Sequence, residues 1–227
     1  MMTEEQVRAH WEQQQRQQAE FMNAVQRQQA EQMAMQILMR EKAMWQQQVQ
    51  LEINELPRQQ YRCIVAVDER GAFSKDGKIP WTYTEDFKWF KMKTEGGICV
   101  MGRTTYDSIV SHLGDKAADS VLPNRKCFVV TSTPLPLNNA TAIPSIAVLD
   151  SFLSPDDVNT PVFFCGGEQI YSEGIAKCQE LLITVVNKDV DGDKFFPVSY
   201  VLKHFELAKV MKTPEVEDLL FTVWIRK

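Results

Sequence analysis

From residue 61 onward, apolar residues fall in short continuous runs separated by turn-forming residues. The runs "YRCIVAV" (61–67), "ICVMG" (98–102), "CFVVTS" (127–132), "VFFCGG" (162–167) and "LLITVVN" (181–187) are rich in β-branched and aromatic side chains and do not alternate with polar ones. Runs of this kind predict strands buried on both faces. Between them the pattern becomes helical, near 85–94, 103–110 and 168–176. Alternation of strand and helix predicts a mostly parallel sheet with helices on both sides, an α/β class. The last segments, "HFELAKVM" and "DLLFTVWIRK", flank "KTPEVE" and predict a closing antiparallel hairpin.

The first sixty residues read differently. Seventeen of them are Gln, against only Gln169 and Gln179 afterwards, and the first Pro and Gly are Pro57 and Gly71. A stretch of Gln, Glu, Arg, Ala and Met without either breaker favours helix. One long helix over 3–54 would measure roughly 75 Å. Val7 and Trp11, Phe21 and Val25, Met33 and Ile37, and Trp45 and Val49 are each four apart, but the pairs do not join into a sustained heptad. Two readings stay open: a tethering helix for self-association or a protein partner through residues 1–56, and a fraying, partly disordered Gln-rich tract. With "LPRQQ" (56–60) as linker, the chain divides into an extension, 1–60, and an α/β domain, 61–227.

Charge and composition narrow the function. A net charge of −5 and an isoelectric point near 5.3 argue against a nucleic-acid partner. No apolar run approaches a membrane span, and the amino end has neither the apolar centre of a secretory signal nor the Ser-rich, Glu-poor character of a transit peptide. A cytoplasmic chain is expected. Cys63, Cys99, Cys127, Cys165 and Cys178 form no CxxC pair and read as free thiols in a reducing compartment. His10, His112 and His204 are isolated, so no metal site is expected.

The chemistry concentrates in "KIPWTYTEDFKWFKMK" (78–93), where Asp86 stands among Trp81, Tyr83, Phe87, Trp89 and Phe90. Asp86 either caps the helix that follows or, four residues before Phe90, looks out along an aromatic surface. In the second case a ligand with paired N–H donors would offset its desolvation. Two strand-to-helix junctions add a second feature. "VMGRTTYDSI" passes through Gly102 into a helix beginning at Arg103, Thr104 and Thr105, a start suited to phosphate. "FFCGGEQIY" brings Gly166 and Gly167 to another helix start without a GxGxxG fingerprint. Both lie at the carboxyl ends of strands, where open α/β sheets bind ligands.

Seven blocks in order, "IVAVDERGAF", "KDGKIPW", "EDFKWFK", "CVMGRTTYDSI", "LPNRKCFVVTS", "VFFCGGEQIY" and "DGDKFFP", make the chain from about Ile64 resemble dihydrofolate reductase. The resemblance implies a mostly parallel eight-stranded sheet with a C-terminal antiparallel hairpin and flanking helices. It also implies NADPH-dependent reduction of 7,8-dihydrofolate, with hydride reaching C6 and a proton N5. Asp86 then matches the acid that pairs with N3 and the 2-amino group of the pteridine, and Trp81 and Thr184 match the residues that hold its water and orient it. Ile64, Phe90 and Ile109 match apolar walls, with Phe87 beside them, and Arg125 matches the clamp on the glutamate tail. Gly102, Arg103, Thr104, Thr105 and Ser132 fall near the cofactor's phosphates. Cys165, Gly166, Gly167, Glu168, Gln169 and Ile170 form the wall behind nicotinamide and pyrophosphate. Ala66 and Ile79 flank the nicotinamide, Ile79 closing the mobile loop from about Arg70 to Lys78.

The chain departs from the family at Ser74, where the loop usually has Gly, at Thr84, a frequent Pro, at Gln169, an Arg in some members, and in a longer connection over 110–121. Two rival functions are a riboflavin-pathway reductase of the same fold and a structural or assembly protein that keeps a reductase-like fold.

Overall fold

The computed structural model describes residues 28–29, 31–49, 61–114, 120–133, 137 and 139–227. The chain divides into two compact units, 1–49 and 50–227. In the first, a helix over 31–49 (α1) carries exposed Met33, Met35, Ile37, Met39 and Met44. The rest of the expected 3–54 helix, apart from residues 28–29, lies outside the described residues, as does 115–119 of the long connection.

In the second unit, ten strands and five α-helices follow in order: β1 (Tyr61–Asp68), β2 (Ala72–Ser74), α2 (Thr84–Thr94), β3 (Ile98–Gly102), α3 (Arg103–Leu113), β4 (Lys126–Val130), β5 (Ala140–Ile143), α4 (Leu149–Phe152), β6 (Val162–Phe164), α5 (Glu168–Gly174), β7 (Glu180–Val186), β8 (Lys194–Phe195), α6 (Val198–His204), β9 (Phe205–Thr213) and β10 (Val216–Arg226). Eight strands form one sheet in the order β5-β4-β3-β6-β1-β7-β10-β9, and β2 pairs with β8 apart from it. All pairings from β5 to β7 are parallel, and β10 runs antiparallel to both β7 and β9. The expected mostly parallel sheet and terminal hairpin are both present. The run "VFFCGG" is strand only to Phe164, which frees Cys165, Gly166 and Gly167 for the junction with α5.

Residues alternate across β1. Cys63, Val65 and Val67 enter a large core with Phe164, Ile170, Leu181, Ile183 and Phe205. Ile64 and Ala66 point to the opposite face. Trp89 of α2 is 1 % exposed and packs on Phe221 of β10 at 4.6 Å between ring centroids, which fixes α2 against the sheet. β6 lies between β1 and β3, so the chain order reverses there. The parallel strands β1, β3, β6 and β7 have their carboxyl ends at one edge of the sheet, where a reversal of this kind places a ligand crevice.

Candidate active site

Asp86 lies in the first turn of α2, and Tyr83 occupies the N-cap with no side-chain hydrogen bond to the helix among the described residues. The capping reading of Asp86 is therefore excluded. Its carboxyl lies beside the hydroxyl of Thr184, a residue 1 % exposed on β7 and in register with Ala66 of β1, and that hydroxyl favours the charged form. Burial pushes the Asp86 carboxyl up to about 6, outweighing the Thr184 hydroxyl, which acts in the opposite direction. The sequence placed this charge in an apolar setting, and the structure has it there.

Around it, Ile64 is 4 % and Trp81 7 % exposed. The Trp81 indole N–H is buried and meets no protein acceptor among the described residues. Phe90 is half-buried, and its carbonyl accepts the Thr94 hydroxyl at 2.7 Å. Phe87 is largely exposed. Arg125 reaches back to the far end of α2. It donates to Thr94 Oγ1 at 2.7 Å and to the carbonyls of Lys91 and Pro123, and it pairs with Glu95 at 3.0 Å. Ile109 packs beside a smaller core of Cys99, Met101, Tyr106 and Val121 under α3.

The other side of the crevice is built from main chain. Gly102 N–H donates to the Gly166 carbonyl at 2.7 Å and Cys165 N–H to the Val100 carbonyl at 2.8 Å, tying the ends of β3 and β6 together. Gly166 has φ +122°, a region that favours glycine, and a Cβ there would meet Thr105 Oγ1 and the Tyr171 hydroxyl at 3.4 Å. α3 starts at Arg103 after Gly102 with no acidic residue in its first turn. The Arg103 Nε donates to both oxygens of Asp107, at 2.8 and 2.9 Å. Thr104, Glu168, Gln169 and Ser132 are exposed and Ile170 is buried. Gln169 donates to Glu173, and Glu168 pairs with Lys194 at 3.0 Å.

The loop after β2 closes the front. Asp76 N–H donates to Asp193 at 3.0 Å, Asp193 N–H to the Ser74 carbonyl at 2.8 Å, and Lys75 pairs with Asp191 at 3.4 Å. Lys75, Asp76, Ile79, Pro80 and Trp81 line an open hollow, and Ile79 is 54 % exposed. Ser74 is extended, in β2, so no glycine is needed there.

A family model described as dihydrofolate reductase matches residues 60–225. The chain belongs to the dihydrofolate reductase family. Dihydrofolate reductase of Bacillus subtilis is 33 % identical over 136 residues, 59 % of this chain and 73 % of the relative. Dihydrofolate reductase HdrB of Haloferax volcanii is 33 % identical over 138 residues, covering 59 % and 69 %. The structure of Enterococcus faecalis dihydrofolate reductase complexed with NADP(H) and RAB-propyl superposes with a TM-score of 0.64 at 26 % identity, over 74 % of this chain and 96 % of that one.

Three features on this side suit a dinucleotide: glycine main chain at the end of β6, an acid-free start to α3, and Arg103 beside it. One residue outside the sequence-based set lies beside Gly166. Tyr171, buried on α5, donates from its hydroxyl to the Ile64 carbonyl at 2.9 Å. Burial pushes its hydroxyl well above the usual value, with Cys165, Cys63 and Asp86 adding to the shift. The only hint in sequence was its place four residues after Gly167, one helical turn into α5.

Proposed function

We propose that Asp86 is the acid with which this chain reduces 7,8-dihydrofolate to 5,6,7,8-tetrahydrofolate. The supporting observation is a part-buried carboxyl beside the Thr184 hydroxyl, weakened as an acid to about 6. NADPH, when bound, supplies the hydride for C6, and the proton for N5 comes from the medium. A carboxylate in an apolar wall binds paired N–H donors strongly, because water competes poorly for it there. Its negative charge favours a proton on the nearby ring, and the Trp81 N–H is available to a water that relays it. Because that proton comes from the medium, turnover limited by this chemistry falls as pH rises, with Asp86 already ionised above about 6.

Ile64, Phe90 and Ile109 wall the substrate, with Phe87 at the rim. Arg125 meets the acidic tail: its guanidinium is preset by Thr94, Lys91 and Pro123, and its partner Glu95 is an exposed carboxylate that another carboxylate can replace. Arg103, Thr104, Thr105 and Ser132 hold phosphates, and the segment from Cys165 to Ile170 with Ala66 and Ile79 frames the nicotinamide. The loop over 70–78 excludes water when closed.

The test is the loss of NADPH absorbance on adding dihydrofolate. Rapid turnover by the native chain, reduced about a hundredfold or more in a folded Asp86→Asn variant, is the expected result. Undiminished turnover in that variant would refute the role of Asp86. A folded native chain without turnover would favour a structural role for the fold.

The free cysteines are consistent with a cytoplasmic location, and no helix among the described residues is long and apolar enough to cross a membrane. The exposed Met33, Ile37 and Met44 favour a role in self-association for the extension, 1–60. A lower mass by light scattering for a Met33→Lys/Ile37→Lys/Met44→Lys variant is expected, and an unchanged mass refutes it.

A further inference from the structure

Helix α2 presents Asp86 from its first turn, yet it starts without a side-chain cap. Thr84 at its first position leaves φ unrestricted, where a proline would fix it. Uncapped first turns fray, and fraying here would move the acid. The side chain of Tyr83, the N-cap residue, turns away from the helix instead. Its hydroxyl donates to Asp218 Oδ2 at 2.9 Å. Lys188 Nζ lies 3.5 Å from the same oxygen and stands 4.9 Å over the Tyr83 ring. The Asn187 N–H donates to the Asp218 carbonyl at 2.8 Å, continuing the β7 and β10 ladder in which Leu219 faces Val186.

Three elements thus meet in one closed cluster: the entry to α2, the end of β7 and the start of β10. Tyr83 lies three residues before Asp86, and Lys188 four after Thr184. The Phe87 N–H also donates to the Tyr83 carbonyl at 3.3 Å, so the Tyr83 main chain starts the helix that its side chain anchors. Asp218 and Lys188 are about half exposed, so their ion pair contributes little through charge alone. What the cluster supplies is position.

We propose that Tyr83, held by Asp218 and Lys188, is a positioning residue that fixes the first turn of α2 against β7 so that Asp86 meets the Thr184 hydroxyl. The inference rests on Asp86 acting as the substrate-binding acid. Its effect is on dihydrofolate and not on NADPH, because the cluster lies at the α2 start and not at α3 or α5.

The experiment compares the full chain with Tyr83→Phe, Asp218→Asn, the double variant, and Tyr83→Phe/Thr84→Pro. Steady-state turnover and the fluorescence-measured Kd for NADPH are the readouts, with circular dichroism as the folding check. Tyr83→Phe raises KM for dihydrofolate about fivefold, the size of one hydrogen bond, and leaves the NADPH Kd within about twofold. The double variant costs no more than the larger single one, because both remove the same contact. Thr84→Pro then restores KM in the Tyr83→Phe background. Tyr83 is extended at φ −98° and ψ 116°, the conformation a following proline requires, and the first helical N–H has no intrahelical partner to lose.

An unchanged KM in Tyr83→Phe, an equal loss of NADPH affinity, or no rescue by Thr84→Pro would each overturn the inference while the native chain still turns over. A native chain without turnover would overturn the role of Asp86 itself, and the inference with it.

Discussion

Around Asp86 the crevice is walled by side chains, those of Ile64, Trp81, Phe90 and Thr184. Around Gly166 it is walled by main chain, with Gly102 bonded to Gly166 and Cys165 to Val100 across the ends of β3 and β6. The first region is apolar and holds one weakened acid. The second ends in an exposed helix start with an arginine. Side chains recognise a small ring by placing one charge where water competes badly, whereas main chain recognises a long, polar cofactor by letting it approach closely. Substitutions should therefore act differently in the two: removal of a group in the first, addition of one in the second.

The largest effect is expected at Asp86. Beyond its loss of turnover, Asp86→Asn should make the chain more stable at neutral pH. The native carboxyl is shifted from 3.8 to about 6, so ionising it costs the fold roughly 3 kcal/mol. The folded state binds the proton more tightly than the unfolded one, so native stability falls as pH rises between those two values. Thermal unfolding of both chains should therefore coincide near pH 3.5 and diverge up to about pH 7, with the Asn variant melting higher. Coincident curves at pH 7 would mean that burial does not burden this carboxyl.

Gly166→Ala comes next and probes the main-chain wall. With φ at +122°, any Cβ is strained, at roughly 1–2 kcal/mol, although its contacts with Thr105 and Tyr171 at 3.4 Å would be ordinary ones. The Kd for NADPH should rise about tenfold, measured by fluorescence titration, with a smaller change in KM for dihydrofolate. Gly102→Ala provides the contrast, because its Cβ would sit in ordinary contact with Ile170 at 3.4 Å and its φ of −77° suits any residue. Equal effects at the two glycines would remove the backbone argument.

The same contrast explains what could be read from sequence. The five main strands and the helices α2, α3 and α5 were legible because each lies in a continuous apolar or periodic run bounded by turn-forming residues. β2, β5, β8 and α4 were not, because two to four residues carry no period, and α6, as short as α5, has no glycine pair before it to mark its start. Asp86 was legible as a charge among aromatics, and Arg103 as a charge at a helix start. Tyr171 was not, because its role is a single bond to the Ile64 carbonyl 107 positions away. The cluster of Tyr83, Lys188 and Asp218 was equally hidden, since only the folded sheet brings β7 and β10 to the start of α2.

Arg103→Gln should raise KM for NADPH about fivefold and weaken its dependence on salt, leaving KM for dihydrofolate unchanged. The effect is held to that size because Asp107 already takes the Nε of this side chain and neutralises part of its charge. Asp107→Asn should accordingly tighten NADPH binding by a few-fold. Loosened binding in that variant would mean that the pair acts by aiming the guanidinium and not by competing for it.

The smallest effect separates the two aromatic residues near the acid. Phe87 is 46 % exposed, so Phe87→Ala removes little packing and should leave stability within about 0.5 kcal/mol. Phe90 is half-buried beside the Thr94 hydroxyl that Arg125 also bonds, and its truncation should cost more than 1 kcal/mol as well as substrate affinity. If Phe87 reaches the substrate's ring, KM for dihydrofolate rises two- to threefold with no change in melting temperature. An unchanged KM would leave Phe90 as the aromatic wall and return Phe87 to solvent. That would narrow the substrate side to one helix face, defined by the spacing of four between Asp86 and Phe90.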